Sequence, residues 1–218
     1  VLVNWLRAAG WWASDYAYAV DRQVRATLAR RAPLLDGDNT PIVILPGIYE
    51  SWKFLLPLAV EMHGRGHPVH PVEALGFNAR PVVESAAYVV EYLERHDLRD
   101  VVILAHSKGG LIGKVVMTQP AGARIRAMLA VATPFAGSEY ARFMVTPSLR
   151  IFSPTDATIR ALASEEDVNS RIVSVYAEFD PHIPSGSELA GAKNVRLDTG
   201  GHFRVLTRAE VLAELELL

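Results

Sequence analysis

The chain has no cysteine, which removes disulfide frameworks and thiolate metal sites and leaves stability to a packed core. It also lacks a basic excess. Lysine and arginine number 22 against 24 aspartates and glutamates, a formal net charge of −2, whereas a nucleic-acid binder needs a cationic footprint. No apolar run reaches the length of a bilayer span. Internal repeats and low-complexity linkers are missing too, so the sequence reads as an N-terminal helical segment, 1–33, followed by one domain, 34–218. The chain starts at Val1 rather than methionine. An upstream piece, a signal peptide among the options, is expected to have been removed or left out, and the compartment stays open, the cytoplasm slightly ahead of secretion or the envelope.

What is present is organised around one run. Residues 101–105 are continuously apolar, at the length of a strand buried on both faces. From Gly110 the spacing turns helical, with Leu111, Val115 and Met117 able to share a side. Between the two stands Ser107, with Ala105 and Gly109 two positions to either side. A serine on so tight a strand-to-helix turn takes a strained backbone conformation, so its neighbours need small side chains. Its hydroxyl is then held out at the sheet's carboxyl edge, beside the free N–H groups of a helix N-terminus. For the pentapeptide alone, an ordinary βα turn with a capping serine is the plainer alternative.

The rest alternates strand and helix signals. Strands are expected at 41–45, 68–72, 125–132, 172–177 and 194–197, with 101–105 making six. Helices are expected at 1–31, 52–64, 81–96, after Ser107, and at 204–217. This predicts an α/β fold with a mainly parallel sheet and helices on both faces. Active groups of such sheets collect beyond the carboxyl ends of the strands. Those ends carry Gly47-Ile48-Tyr49, Ser107, Glu178-Phe179-Asp180-Pro181-His182 and Asp198 to His202.

Two acids compete on the 172–177 strand. Asp180 falls past its end, before Pro181 where the chain leaves the sheet, and is preferred to Glu178. Asp198 lies too close to His202 to orient it and reads as a turn or cap residue. His106 adjoins the serine but should point away as a packed neighbour, and His182 reads as a pocket wall or surface residue. His63, His67 and His70 have a spacing that suggests zinc. Gly64, Gly66 and Pro68 take them off any one helical face, so no metal is expected there.

Leu45-Pro46-Gly47-Ile48, Ala105-His106-Ser107-Lys108-Gly109-Gly110, Ala132-Thr133-Pro134-Phe135-Ala136-Gly137-Ser138, Asp180, the stretch 189–195 and Gly201-His202 lie in order along the chain. On these, residues 41–215 or so resemble α/β-hydrolases of the small bacterial lipase and esterase type. The chain order Ser107, Asp180, His202 is the one that fold uses. The resemblance implies an ester-cleaving serine hydrolase without cofactor or metal. His202 would be the base, Asp180 would fix its tautomer, and the backbone N–H groups of Ile48 and Lys108 would hold the oxyanion. Thioesters and amides would use the same groups. A small-molecule-binding protein that keeps the fold without the chemistry is the alternative from another class. Two departures stand out: Ala105 replaces the commoner glycine, and Pro46 replaces the histidine often found before the oxyanion glycine.

Segment 135–168 is the only connection long enough for a cap. From it Phe135, Phe143, Met144 and Phe152, together with Tyr49, are the expected substrate-binding side chains. Its modest length predicts a partly open site and a preference for short- to medium-chain acyl groups. Residues 1–31 lie outside the resemblance. There Trp12, Tyr16, Val20, Val24 and Leu28 recur every four residues, a stripe expected to dock on the domain. Trp5, Leu6 and Trp11 make the start aromatic. Arg22, Arg25, Arg30 and Arg31 on or near the polar side leave contact with a membrane surface as the second reading.

Overall fold

In the computed structural model, which describes residues 2–30 and 34–218 and side chains from Arg7 onward, the apolar runs become strands of one sheet. Arg31 and the side chains of Trp5 and Leu6 lie outside the described residues. Strands β1 (Ile42–Leu45), β2 (Val69–Pro71), β3 (Val101–His106), β4 (Ile125–Val131), β5 (Ile172–Phe179) and β6 (Lys193–Gly200) pair in parallel in the order β2-β1-β3-β4-β5-β6. Helices α1 (Leu2–Leu28), α2 (Leu56–Gly64), α3 (Val82–Arg95), α4 (Lys108–Met117), α5 (Pro147–Arg150), α6 (Ala157–Ser164) and α7 (Ala209–Glu216) flank or connect them.

Strand β3 shows why its sequence is apolar throughout. Val101, Ile103 and Ala105 enter a core with α3, α4 and α6, while Val102 and Leu104 enter another with α2 and α7. Both faces are covered, so alternation disappears. The edge strand β6 behaves in the opposite way. Lys193, Arg196 and Asp198 are exposed, and only its middle reads as apolar. Strand β5 runs on past 177 through Glu178 and Phe179, and β6 runs on to Gly200. The sheet order reverses at β1 and β3, so the crevice at their carboxyl ends is where a ligand is expected.

Helix α1 departs most from expectation. Its stripe does not face the core: Trp12 is 51%, Val20 63% and Leu28 76% exposed. Trp11, Asp15, Tyr18, Arg22 and Ala26 point inward instead. Two of these are charged, and both are spent on backbone groups. Arg22 donates Nε to the Phe54 carbonyl at 2.9 Å and Nη2 to that of Lys53 at 2.7 Å, and Asp15 accepts from the loop after β6. A buried charge that bonds the backbone looks like a surface residue in a hydrophobicity pattern, so the pattern selects the wrong face.

Segment 135–168 divides by burial. Phe152, Ile159 and Leu162 enter the core beside α4, whereas Tyr140, Phe143 and Met144 stay exposed above the crevice.

Candidate active site

The turn between β3 and α4 carries Ser107 at φ 50° and ψ −118°, a left-handed conformation that costs energy for a residue with a Cβ. The surroundings hold it there. Ser107 N–H donates to the Val131 carbonyl at 2.8 Å, and Thr133 Oγ1 donates to the Ser107 carbonyl at 3.0 Å. Gly109 and Gly110 are required by close packing, since a Cβ would overlap the Leu45 carbonyl at one and Thr133 Oγ1 at the other.

The loops after β5 and β6 bring two more groups to this serine. His202 Nε2 lies 2.9 Å from Ser107 Oγ, and His202 Nδ1 lies 2.7 Å from Asp180 Oδ2. Asp180 Oδ1 accepts the main-chain N–H groups of His182 at 2.7 Å and Ile183 at 3.1 Å. A carboxylate can only accept, so Nδ1 carries the proton and Nε2 presents a lone pair to the hydroxyl. Burial disfavours the His202 imidazolium, yet the charge and hydrogen bond of Asp180 outweigh it and raise the ring above its usual 6.5. Burial likewise pushes Asp180 up, and His202 more than reverses this, holding the carboxyl below its usual 3.8. Glu178 pairs outward with Arg196 at 3.0 Å. His182 lies on the pocket wall, its Nε2 2.9 Å from the Tyr16 hydroxyl. Burial first and His202 second push its ring down to about 4.

Behind the serine, the loop after β1 is tied down by Glu50 and Asn78, which no motif singles out, and by His106, the expected packed neighbour. Gly47 N–H donates to Glu50 Oε2 at 2.7 Å. The Glu50 carboxylate meets His106 Nδ1 at 2.9 Å, and His106 Nε2 meets the His202 carbonyl at 3.1 Å. The Pro46 carbonyl accepts Asn78 Nδ2 at 2.7 Å, so proline leaves no slack in the loop. Lys108 is wholly buried, and its Nζ donates to the carbonyls of Asn78 (2.6 Å) and Arg80. Burial pushes that ammonium down to about 8. Lys108 also opens α4, where the first amides have no intrahelical acceptor.

Above Ser107 and His202 opens a cavity of 730 Å³, within the usual range for a small-molecule site. Tyr49, Phe143, Met144 and Phe152 line it. Phe135 does not. The chain turns at the end of β4, where Ala132 has φ 50°, and Phe135 packs into the core with Lys114 Nζ 5.9 Å from its ring centroid. Pro134 stands in the wall instead, and the facing wall comes from α1 through Tyr16, Ala19, Val20 and Gln23. Among the described residues, one group of three side chains has ligand atoms within 4.8 Å of one another, namely Asp180, His182 and His202. Two of these are already bonded to each other. His67 is spent on the Thr40 carbonyl, and His70 packs on Tyr92 and His96.

No protein-family model and no curated protein matches the chain. Solved structures do. An extracellular α/β-hydrolase from a Paenibacillus species superposes with a TM-score of 0.57 at 19% identity, over 82% of this chain and 97% of its own. The mature lipase of Bacillus licheniformis gives 0.59 at 14%, over 86% and 98%. The enol-lactonase of Burkholderia xenovorans gives 0.56 at 15%, over 83% and 91%. Identities this low speak for the architecture alone. With its six parallel strands, its reversal at β1 and β3 and these likenesses, the chain has the α/β-hydrolase fold.

Proposed function

We propose that the chain is a serine hydrolase that cleaves carboxylic esters of short to medium acyl chain through an acyl-enzyme on Ser107. One observation carries the reading: an unbroken path from Ser107 Oγ through His202 to Asp180, at 2.9 and 2.7 Å, on the floor of an apolar cavity. In this mechanism Nε2 of neutral His202 takes the hydroxyl proton as Oγ bonds to the acyl carbon. The carbonyl electron pair moves to oxygen, which the N–H groups of Ile48 and Lys108 receive; each such donor is worth about 3 kcal/mol in the transition state. The imidazolium, stabilised by Asp180, then gives its proton to the departing alcohol. Water repeats the sequence and frees the acid. Similar structures named as a lipase and an enol-lactonase support acyl–oxygen cleavage over other bonds.

Fluorophosphonate labelling of the folded chain tests this. One adduct mapped to Ser107 is expected. Ser107→Ala should lose both the adduct and p-nitrophenyl butyrate turnover, with kcat down on the order of a million-fold. A wild type without an adduct, or a variant keeping a tenth of the activity, would reject the proposal. Matching anilide and thioester substrates, run beside the ester, rank the bond classes.

A further inference from the structure

We infer that Asp15 of helix α1 is a positioning residue for His202, which makes α1 part of the working site rather than an appendage to it. Asp15 is wholly buried and lies 187 positions from His202 in the chain. Its Oδ2 accepts the His202 N–H at 2.9 Å, and its Oδ1 accepts those of Phe203 at 2.9 Å and Arg204 at 2.7 Å. Three successive amides turned to one side form a concave anion site, and the carboxylate fills it with both oxygens. The sequence on each side fits this approach. A Cβ at Gly200 would overlap the Trp11 ring, and one at Gly201 would overlap the Asp15 carboxylate. Ser14, next on the helix, accepts Arg204 Nη1 at 2.7 Å.

From the opposite side, His106 Nε2 holds the His202 carbonyl at 3.1 Å. Both main-chain polar groups of His202 therefore lie within hydrogen-bond distance of side chains from distant segments, the N–H on Asp15 and the carbonyl beside His106 Nε2. A general base displaced by a fraction of an ångström loses rate steeply, so the anchoring bears on turnover. The charge contributes as well. Asp180, Glu50 and Asp15 face His202 as anions and favour its imidazolium. The rings of His106 and His182 stand 5.1 and 4.7 Å from it, centroid to centroid.

The test uses Asp15→Asn in the full chain, with folding followed by circular dichroism. The amide keeps the size of the side chain but must turn an N–H₂ toward a main-chain N–H. Counted per fluorophosphonate-titrated site, kcat for p-nitrophenyl butyrate should fall about ten- to a hundred-fold while KM changes less than about threefold. The His202 ring titration, read by NMR, and the acid limb of kcat/KM should both move to lower pH, the direction expected when an anion near the imidazolium is lost. In a His202→Ala background the same change should add no loss. A kcat per site within about twofold of wild type, with the ring titration unmoved, would make Asp15 a staple for α1 only. A full further loss without His202 would place its action elsewhere and overturn the inference equally. Should Asp15→Asn not fold, Ser14→Ala takes its place; it removes the Arg204 contact and a bond to the Trp11 carbonyl. There a two- to fivefold fall in kcat, roughly, at constant KM is expected, and no change overturns the inference. The kinetic arm rests on the function proposed above, but the NMR titration does not. A wild type that neither labels nor turns over removes that function, while the shift of the His202 ring still decides the role of Asp15.

Discussion

The β3–α4 stretch and helix α1 border the same cavity, yet their sequences disclose themselves very differently. In β3–α4 most demands of the structure have a matching residue type, the buried His106, Lys108 and Lys114 excepted. Burial on two faces calls for an unbroken apolar run, and the strained turn and close helix packing call for small residues around Ser107. In α1 the demands are polar. Its inward face exists to deliver Asp15 to three main-chain amides and Arg22 to two carbonyls. Meanwhile Tyr16, Ala19 and Val20 border the cavity, and Trp12, Val24 and Leu28 face solvent. Periodicity locates apolar side chains. It says nothing about whether they face a core or the mouth of a site.

The contrast can be broken most forcefully at the acid. If the strand-end argument that singled out Asp180 is sound, Asp180→Asn should lower kcat by roughly ten-thousand-fold, because the ring loses the acceptor that sets its tautomer. Glu178→Gln should stay within about threefold, since that side chain is half-exposed and pairs with Arg196 on the neighbouring strand. Steady-state ester hydrolysis by the two variants gives the ranking. The reverse order would mean that the loop after β5 was as misleading as α1.

A smaller effect, on stability, probes the two faces of α1 directly. Arg22→Ala removes the side-chain donor from the carbonyls of Phe54 and Lys53, the latter keeping the Leu56 N–H, which should cost about 1–3 kcal/mol. Val24→Ser, on the stripe that the pattern selects, should stay within about 0.5 kcal/mol, because that side chain is already solvent-exposed. Urea unfolding of both variants reads the difference. A larger loss from Val24→Ser would restore the stripe as the docking face.

How much was legible follows from the same physics. The four inner strands announced themselves by apolar runs, whereas the edge strands β2 and β6 showed only short mixed ones. β3 was drawn one residue short and β5 and β6 shorter still, because His106 and Glu178 end the apolar runs of the first two and charged residues dominate the exposed edge of the third. Ser107, Asp180 and His202 were nameable because each lies just past a strand end, Asp180 before Pro181, His202 after Gly201 and Ser107 two residues from Gly109. The bonds of Glu50, Asn78 and His106 were not, although His106 does pack away from the serine as expected. Their roles depend on bonds to the backbone across the crevice, and a polar residue in a loop carries no local mark of such a bond. Glu50 did stand next to the Gly47-Ile48 segment, the one hint available. Phe135 misled for a related reason, because its apolar character fits a core and a pocket wall equally well.

The smallest expected effect concerns the two walls of the cavity. Phe152 is buried and lines it deep beside α4's core, whereas Phe143 is 84% exposed at the rim and Val20 of α1 faces it from the other side. Contacts worth about 1–3 kcal/mol per buried methylene set chain-length preference, and a rim residue supplies only a fraction of one. Phe152→Ala should therefore deepen the pocket and raise the octanoate-to-butyrate ratio of kcat/KM by about fivefold. Met144→Ala should do less, and Phe143→Ala and Val20→Ala should each stay within about twofold. A p-nitrophenyl ester series from acetate to decanoate, run on folded variants, provides the profile. If Val20→Ala changes the ratio more than Phe152→Ala, the acyl chain lies along α1 and not along the cap. The helix that the sequence disclosed least would then be the one that sets specificity.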